Sequence, residues 1–347
     1  MKREDLLRFC GLRGTSGREH AVRNAILDEI ASLGLQAQVD AMGNVLVHKE
    51  GRARPVRKLM LSAHMDEVAL MVTAISDDGT LKFDMVGGIS ASAVIGRQVF
   101  VGKQGILGVI GAKPVHHLSA DAKKTPPKMS ELAVDIGASS KAEAQQYVQL
   151  GDIIYFDTSA QFFGDGCIAE KAIDDRFGCV LLLDLLKQDL PYDTEFAFVV
   201  QEEVGLRGAG VAARTISPDV ALIFEATTAA DVPDSIGADK VCRLGDGAVI
   251  SFIDGRTVYD AQLYDLAVKT AEDAGISWQT KTKIAGGNDA GSIQNAGSGV
   301  KVLAVSVPCR YLHSPVCVIR ESDAEACEKL AYALIPAIQE MGATDDF

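Results

Sequence analysis

The sequence predicts an α/β protein: an α/β/α layered domain with a mixed, largely parallel sheet, interrupted by a small inserted β-rich, barrel-like domain. Three observations predict it. From Ile173 onward long amphipathic helices alternate with apolar strands, the rhythm of a sheet covered on both faces. Between Glu67 and about Phe163 short β segments separated by turn clusters replace that rhythm. The strand Lys58–Ser62 ahead of this block has the character of the later strands, so the block reads as an insertion. Residues 1–66 plus 164–347 then form the main domain and 67–163 the inserted one, and 347 residues are enough for two such units.

The elements follow in order. Ser16-Gly17-Arg18-Glu19 has capping-box spacing, and Ala21, Val22, Ala25, Ile26, Ile30 and Leu33 recur at helical intervals up to Gly34. A hairpin is expected around Gly43-Asn44, and Lys58–Ser62 runs directly into Ala63-His64-Met65-Asp66. In the insertion Val68–Ile75, Thr80–Met85, Val94–Val101, Ile106–Gly111, Leu132–Ile136 and Asp152–Phe156 read as strands, with one helix near Ser140–Val148. The last part reads as helix Asp174–Lys187, strand Glu195–Val200, helix Gly208–Arg214, strand Val220–Phe224, helix Thr257–Ala274, strand Val302–Val307 and helix Ser322–Met341.

Composition narrows the function. Asp plus Glu number 47 against 34 Lys plus Arg, and a net charge of −13 argues against nucleic acid or an anionic membrane face as partner. The N-terminus does not read as a secretory signal, and the densest apolar run, Cys179–Leu186, is too short to span a bilayer. Seven scattered cysteines without a C-x-x-C pair fit reduced thiols and a cytoplasmic protein. There is no G-x-S-x-G elbow, phosphate loop, H-E-x-x-H or dinucleotide fingerprint.

Four strands of the α/β part end in residues that are poor strand formers and good ligands: His64 to Asp66, Gln201 to Glu203, Glu225, and Arg310 to His313. Open α/β sheets collect ligands beyond the carboxyl ends of their strands, so these tips can converge. Asp174, at the start of a helix, is a fifth candidate. Each has an ordinary explanation when taken singly. His64 could be a buried core histidine, Asp174 a helix-start carboxylate paired with Lys171 and Arg176, and His313 a loop residue. Together they supply two imidazoles and three carboxylates, with Asp66 and Glu202 to spare, a set suited to zinc, cobalt or manganese. That is too many ligands for one catalytic ion, whereas a carboxylate shared between two ions absorbs the surplus. Asp66 is spaced to orient the His64 imidazole from behind. Glu202 and Glu203, adjacent on an extended segment, are expected to point opposite ways, one to metal and the other to water as a base.

His64-Met65-Asp66-Glu67, Asp174-Asp175-Arg176, Gln201-Glu202-Glu203-Val204-Gly205, Gly286-Gly287-Asn288-Asp289 and Arg310-Tyr311-Leu312-His313-Ser314, in this order, resemble the TET-type dinuclear metalloaminopeptidases, the glutamyl or deblocking aminopeptidase family. The resemblance implies that His64 and Glu225 bind one metal, Glu203 and His313 the other, and Asp174 both. It makes Glu202 the general base, with Asp66 behind His64, and implies a cis peptide from Asp174 to Asp175. Asp231 is a rival to Glu225 as ligand. It also implies two divalent ions, Zn or Co and possibly Mn, removal of N-terminal residues from short peptides, and homodimers built through the inserted domain into a tetrahedral dodecamer. The residues alone support metal-assisted hydrolysis. They leave open a dinuclear amidohydrolase or deacylase on a non-peptide amide, and a catalytically silent scaffold or regulatory subunit.

Overall fold

The computed structural model describes residues 1–120 and 122–342. The first half carries helices α1 (Arg3–Cys10) and α2 (His20–Ser32) and strands β1 (Gln38–Val39), β2 (Val45–Lys49) and β3 (Leu59–His64). There follow β4 (Ala69–Ile75), β5 (Leu81–Val86), α3 (Ala91–Val94), β6 (Gln98–Val101), β7 (Ile106–Gly111), β8 (Ala133–Asp135), α4 (Lys141–Ala144) and β9 (Ile153–Phe156). Next are β10 (Gln161–Phe163), β11 (Cys167–Glu170), α5 (Ile173–Leu186), β12 (Thr194–Val199), α6 (Arg207–Ile216) and β13 (Val220–Thr228). The chain continues through β14 (Ala248–Ile250), α7 (Ala261–Asp273), β15 (Trp278–Thr280), α8 (Ala290–Ile293), β16 (Lys301–Cys309), β17 (Cys317–Arg320) and α9 (Glu321–Glu340).

The main sheet has the order β1-β2-β12-β3-β13-β16-β14-β15. Its centre, β12-β3-β13-β16, is parallel, and antiparallel pairings flank it at β2/β12 and β14/β16. Alternation along the strands separates two cores. Leu59, Leu61, Phe196, Phe198, Leu222 and Phe224 face α1, α2, α5, α7 and α9, while Met60, Ala197, Val199, Ala221 and Ile223 face α6 and α8. Each large side chain so buried stabilises the layers by about 1.5–3 kcal/mol. The insertion folds into a closed six-stranded antiparallel barrel, β4-β5-β8-β7-β6-β9, filled by Leu70, Val72, Phe83, Val99, Val101 and Ile154. A third sheet, β10-β11-β17, pairs Glu170 with Cys317, so the chain leading to Asp174 lies beside the chain leaving His313.

Three expectations change. Ser16 does not cap α2: its hydroxyl donates to Asp66 Oδ2 at 2.6 Å, and Glu19 accepts instead from the N–H of Gly17 and of Gln201. A tertiary carboxylate outcompetes the local cap. The helix near Ser140 is a single turn, capped by Ser140, because Val148 turns into the barrel core. Strand β13 continues through Thr228, since Glu225 to Thr228 pair in register with Ser306 to Cys309, so Glu225 lies inside the strand.

Candidate active site

The parallel strands deliver the candidate residues to one end of the sheet. His64 closes β3 opposite Val199, Glu225 lies on the neighbouring β13, and the chain after β12 turns sharply at Gln201 (φ 58°) to present Glu202 and Glu203. Asp174 precedes the regular part of α5, and the Asp174–Asp175 peptide is cis. Gly178 lets that helix approach β3: a Cβ there would lie 2.4 Å from an Asp175 oxygen. Asp175 accepts from the N–H of His64 and of Gly178, tying the strand tip to the helix.

The Asp174 carboxylate stands between the two histidines. Its Oδ1 is 3.5 Å from His64 Nε2 and its Oδ2 is 3.4 Å from His313 Nε2. Glu225 Oε2 lies 3.7 Å from His64 Nε2, and Glu203 Oε2 lies 3.2 Å from His313 Nε2. Donor atoms of His64, Asp174 and Glu225 fall within 4.8 Å of one another, as do those of Asp174, Glu203 and His313, with Asp174 common to both triads. Behind His64, Nδ1 meets the Asp66 carbonyl at 3.0 Å, which leaves the Nε2 lone pair facing the cluster. The Asp66 carboxylate accepts from the N–H of Glu202 and of Glu203, so this one residue braces the imidazole through its carbonyl and the neighbouring glutamates through its side chain.

The cluster is chemically unfinished. His64 Nε2, Asp174 Oδ1, Glu203 Oε1 and Glu225 Oε1 are buried without a hydrogen-bond partner among the described residues. Buried polar atoms are almost always paired, so several adjacent orphans of this chemistry suit a cation as their common partner. Burial drives the Glu202, Glu203 and Glu225 carboxyls well above the ordinary glutamate value, and neighbouring carboxylates add to the rise. Burial works against charge on Asp174 too, but hydrogen bonds with His313 and His64 hold its carboxyl below the usual range. Imidazole nitrogen and carboxylate oxygen are the donors that zinc, cobalt and manganese take, so the residues fit divalent ions.

A family model described as M42 glutamyl aminopeptidase matches residues 43–330. The chain belongs to this family. The aminopeptidase is 32% identical over 339 residues to the glutamyl aminopeptidase of Lactococcus lactis, covering 94% of both chains. It is also 32% identical over 340 residues to the lysyl aminopeptidase of Pyrococcus furiosus, covering 95% of this chain and 96% of that one. Among solved structures, aminopeptidase APDkam598 from Desulfurococcus kamchatkensis superposes with a TM-score of 0.91 at 34% identity over 99% and 98% of the chains. The Pyrococcus horikoshii TET1 peptidase, which can assemble into a tetrahedron or a large octahedral shell, gives 0.83 at 36% over 95% and 98%.

Several other side chains differ from the sequence expectations or decide between them. Glu202 and Glu203 do not diverge, because the turn after Gln201 breaks the extended geometry and sends both toward the cluster; Glu202 Oε2 is 4.0 Å from His64 Nε2. Asp231 is taken by Arg310 in a two-point contact at 2.6 and 2.7 Å, whereas Glu225 sits beside His64. Lys171 and Arg176 pair with Glu67 rather than Asp174. Asn288, not Asp289, bonds the first N–H of α8, and both Asp289 oxygens are buried and unpartnered among the described residues. His116 and His117 are exposed and join none of the metal-type groups among the described residues.

A cavity of about 470 Å³ opens over the cluster. Its wall includes residues that carried no sequence signal. Gly88 is one of them, and its neighbour Gly87 (φ 89°) packs where the barrel meets the site: a Cβ on Gly87 would lie 2.9 Å from Val68 and 3.3 Å from Glu203 Cβ. Lys281 and Arg256 also line it, brought there by the three-residue strand β15 and the loop after β14, both too short to read from periodicity.

Proposed function

We propose that this aminopeptidase removes single residues from the free N-terminus of short peptides, using two divalent ions and Glu202 as base. The observation that carries the reading is the Asp174 carboxylate, which offers one oxygen to the His64 side and the other to the His313 side. His64 and Glu225 would hold one ion, Glu203 and His313 the other, and Asp174 both; Zn or Co, and then Mn, suit the donors. Ions in such a pair polarise a scissile carbonyl and lower the pKa of a water toward neutrality. Glu202, buried yet lining the cavity, takes the proton from that water and returns it to the leaving amine. Asp66 holds His64 in the required tautomer and fixes the backbone that carries Glu202. The cavity's acidic floor attracts the cationic α-amine of a peptide and so favours free N-termini.

The same reading assigns residues 1–66 plus 164–347 to catalysis and 67–163 to contacts between subunits. The exposed Met85, Leu107 and Val109 on the outside of the barrel support a self-association surface. A homodimer assembling into a tetrahedral dodecamer is consistent with the shells of the horikoshii peptidase, and mass measurement in solution tests it. Seven unpaired cysteines support a cytoplasmic location, and no helix among the described residues is long and apolar enough to cross a membrane.

Metal-stripped protein should regain hydrolysis of aminoacyl anilides on adding Zn, Co or Mn. Glu202→Gln should lower kcat by roughly 10²–10⁴-fold while metal content stays the same. Turnover of N-acyl amides in place of aminoacyl anilides would overturn the reading.

A further inference from the structure

The two histidines of the cluster are held in different ways. His64 is buried, and its Nδ1 meets the Asp66 carbonyl at 3.0 Å. The His313 side chain is 39% exposed, and its Nδ1 faces Gly88 with no hydrogen-bond partner among the described residues. A metal-binding imidazole is ordinarily aimed by whatever its second ring nitrogen bonds, so His313 must take its aim from its backbone. That backbone is strained: Tyr311 (φ 60°) and His313 (φ 54°) are both left-handed without being glycine, a conformation that persists only where the surroundings hold it.

Most of the ties on this loop are local. Arg310 and Val318 exchange backbone hydrogen bonds at 2.9 and 3.0 Å, Ser314 Oγ donates to the Val316 carbonyl at 2.8 Å, and Thr158 Oγ1 donates to the Pro315 carbonyl at 2.8 Å. One tie crosses to the other half of the site. Arg310 Nε and Nη2 donate to Asp231 Oδ1 and Oδ2 at 2.6 and 2.7 Å, a planar fork that fixes both distance and orientation. Asp231 is on the chain leaving β13, beyond Glu225, and Arg310 is on the chain leaving β16, just before His313. Where the two strands end, the Ala229 N–H still donates to the Cys309 carbonyl at 2.8 Å, and the Asp231–Arg310 pair spans the gap beyond it. Asp231 is anchored in turn, its Oδ2 accepting from the Leu244 N–H at 3.1 Å. Neither member of the pair lines the cavity.

On the paired-ion reading above, we propose that Asp231 and Arg310 are positioning residues, a strut that sets the spacing between the Glu225 half of the site and the His313 half. The strut governs the affinity of the ion on the His313 side without touching ion or substrate. Asp231, the rival to Glu225 as a ligand, thus serves the site from behind it.

Zinc binding to metal-stripped full-length protein is measured by competition with a chromophoric chelator, beside the Tm of the same metal-free samples. Arg310→Met and Asp231→Asn should each weaken one of two ions by roughly ten- to a hundredfold and leave the other at its wild-type affinity. The double variant should lose no more than either single, because the two side chains act as one unit. Arg310→Lys, which keeps the charge but not the fork, should recover part of the loss. Hydrolysis of aminoacyl anilides lost at limiting zinc should return as zinc is raised. Wild-type affinity for both ions in Arg310→Met, whatever its Tm, makes the pair a tie between loops and overturns the proposal. Equal weakening of both ions overturns it too, since the pair then supports the whole cluster. If Arg310→Met does not fold, Asp231→Asn and Arg310→Lys decide by the same criterion. A wild-type chain that takes up a single ion ends the paired-ion reading and this proposal with it, whereas two ions in wild type leave that reading standing however the variants behave.

Discussion

Two buried ionic clusters sit side by side where β3 ends and α5 begins, and they are built in opposite ways. In the first, Glu67 receives Lys171 at 2.8 Å and Arg176 at 3.4 Å. Arg176, fully buried, also donates to the carbonyls of Phe9, Leu12, Gly14 and Met65. In the second, three residues along the chain from Lys171, Asp174 gathers two histidines and two glutamates and leaves four of their buried polar atoms without partners among the described residues. The saturated cluster is scaffold, pinning the N-terminal segment beneath the site. The unsaturated one holds a place for something the polypeptide does not supply. Charge and burial are shared by both, and only the accounting of hydrogen-bond partners tells them apart.

Breaking the saturated cluster should have the largest effect on stability. Arg176→Met leaves the carbonyls of Phe9, Leu12, Gly14 and Met65 without their buried donor and Glu67 with Lys171 as its one cation, and is expected to lower stability by about 3–5 kcal/mol, read as a drop in Tm. An unchanged Tm would erase the distinction between the clusters. The same kind of surgery in the unsaturated cluster should go the other way. In metal-free protein, Glu225→Gln removes a carboxylate that burial already disfavours, and stability should rise by roughly 1–2 kcal/mol. A clear fall in Tm of the metal-free variant would show that this cluster too is self-satisfied.

Asp289 sharpens the comparison further. Burial pushes its carboxyl up to about 7, opposed by His64. The folded metal-free protein therefore binds more protons than the unfolded chain between about pH 4 and pH 7, and stability falls as pH rises through that window. Asp289→Asn should remove this slope, making the variant more stable than wild type at pH 8, with the difference closing near pH 4. Parallel pH profiles for the two proteins would contradict it.

The strand tips were legible because parallel strands feeding helices put their carboxyl ends on one edge, and His64, Glu203, Glu225 and His313 follow apolar runs that read clearly as strands. The inserted barrel was legible from the change of period after Glu67. What the chain order hides is competition between partners far apart in sequence. Lys171 and Arg176 flank Asp174 but reach Glu67, and Ser16 leaves its own helix for Asp66 across 50 positions. Lys281 shows no pattern at all, since only the pairing of two three-residue strands, β14 and β15, carries it to the cavity.

The most direct test is metal content by elemental mass spectrometry after zinc loading and desalting. The proposed paired site predicts two ions per chain in wild type, about one in His313→Ala, and loss of both in Asp174→Ala, the proposed shared ligand. A single ion per chain that survives His313→Ala unchanged would contradict the paired site.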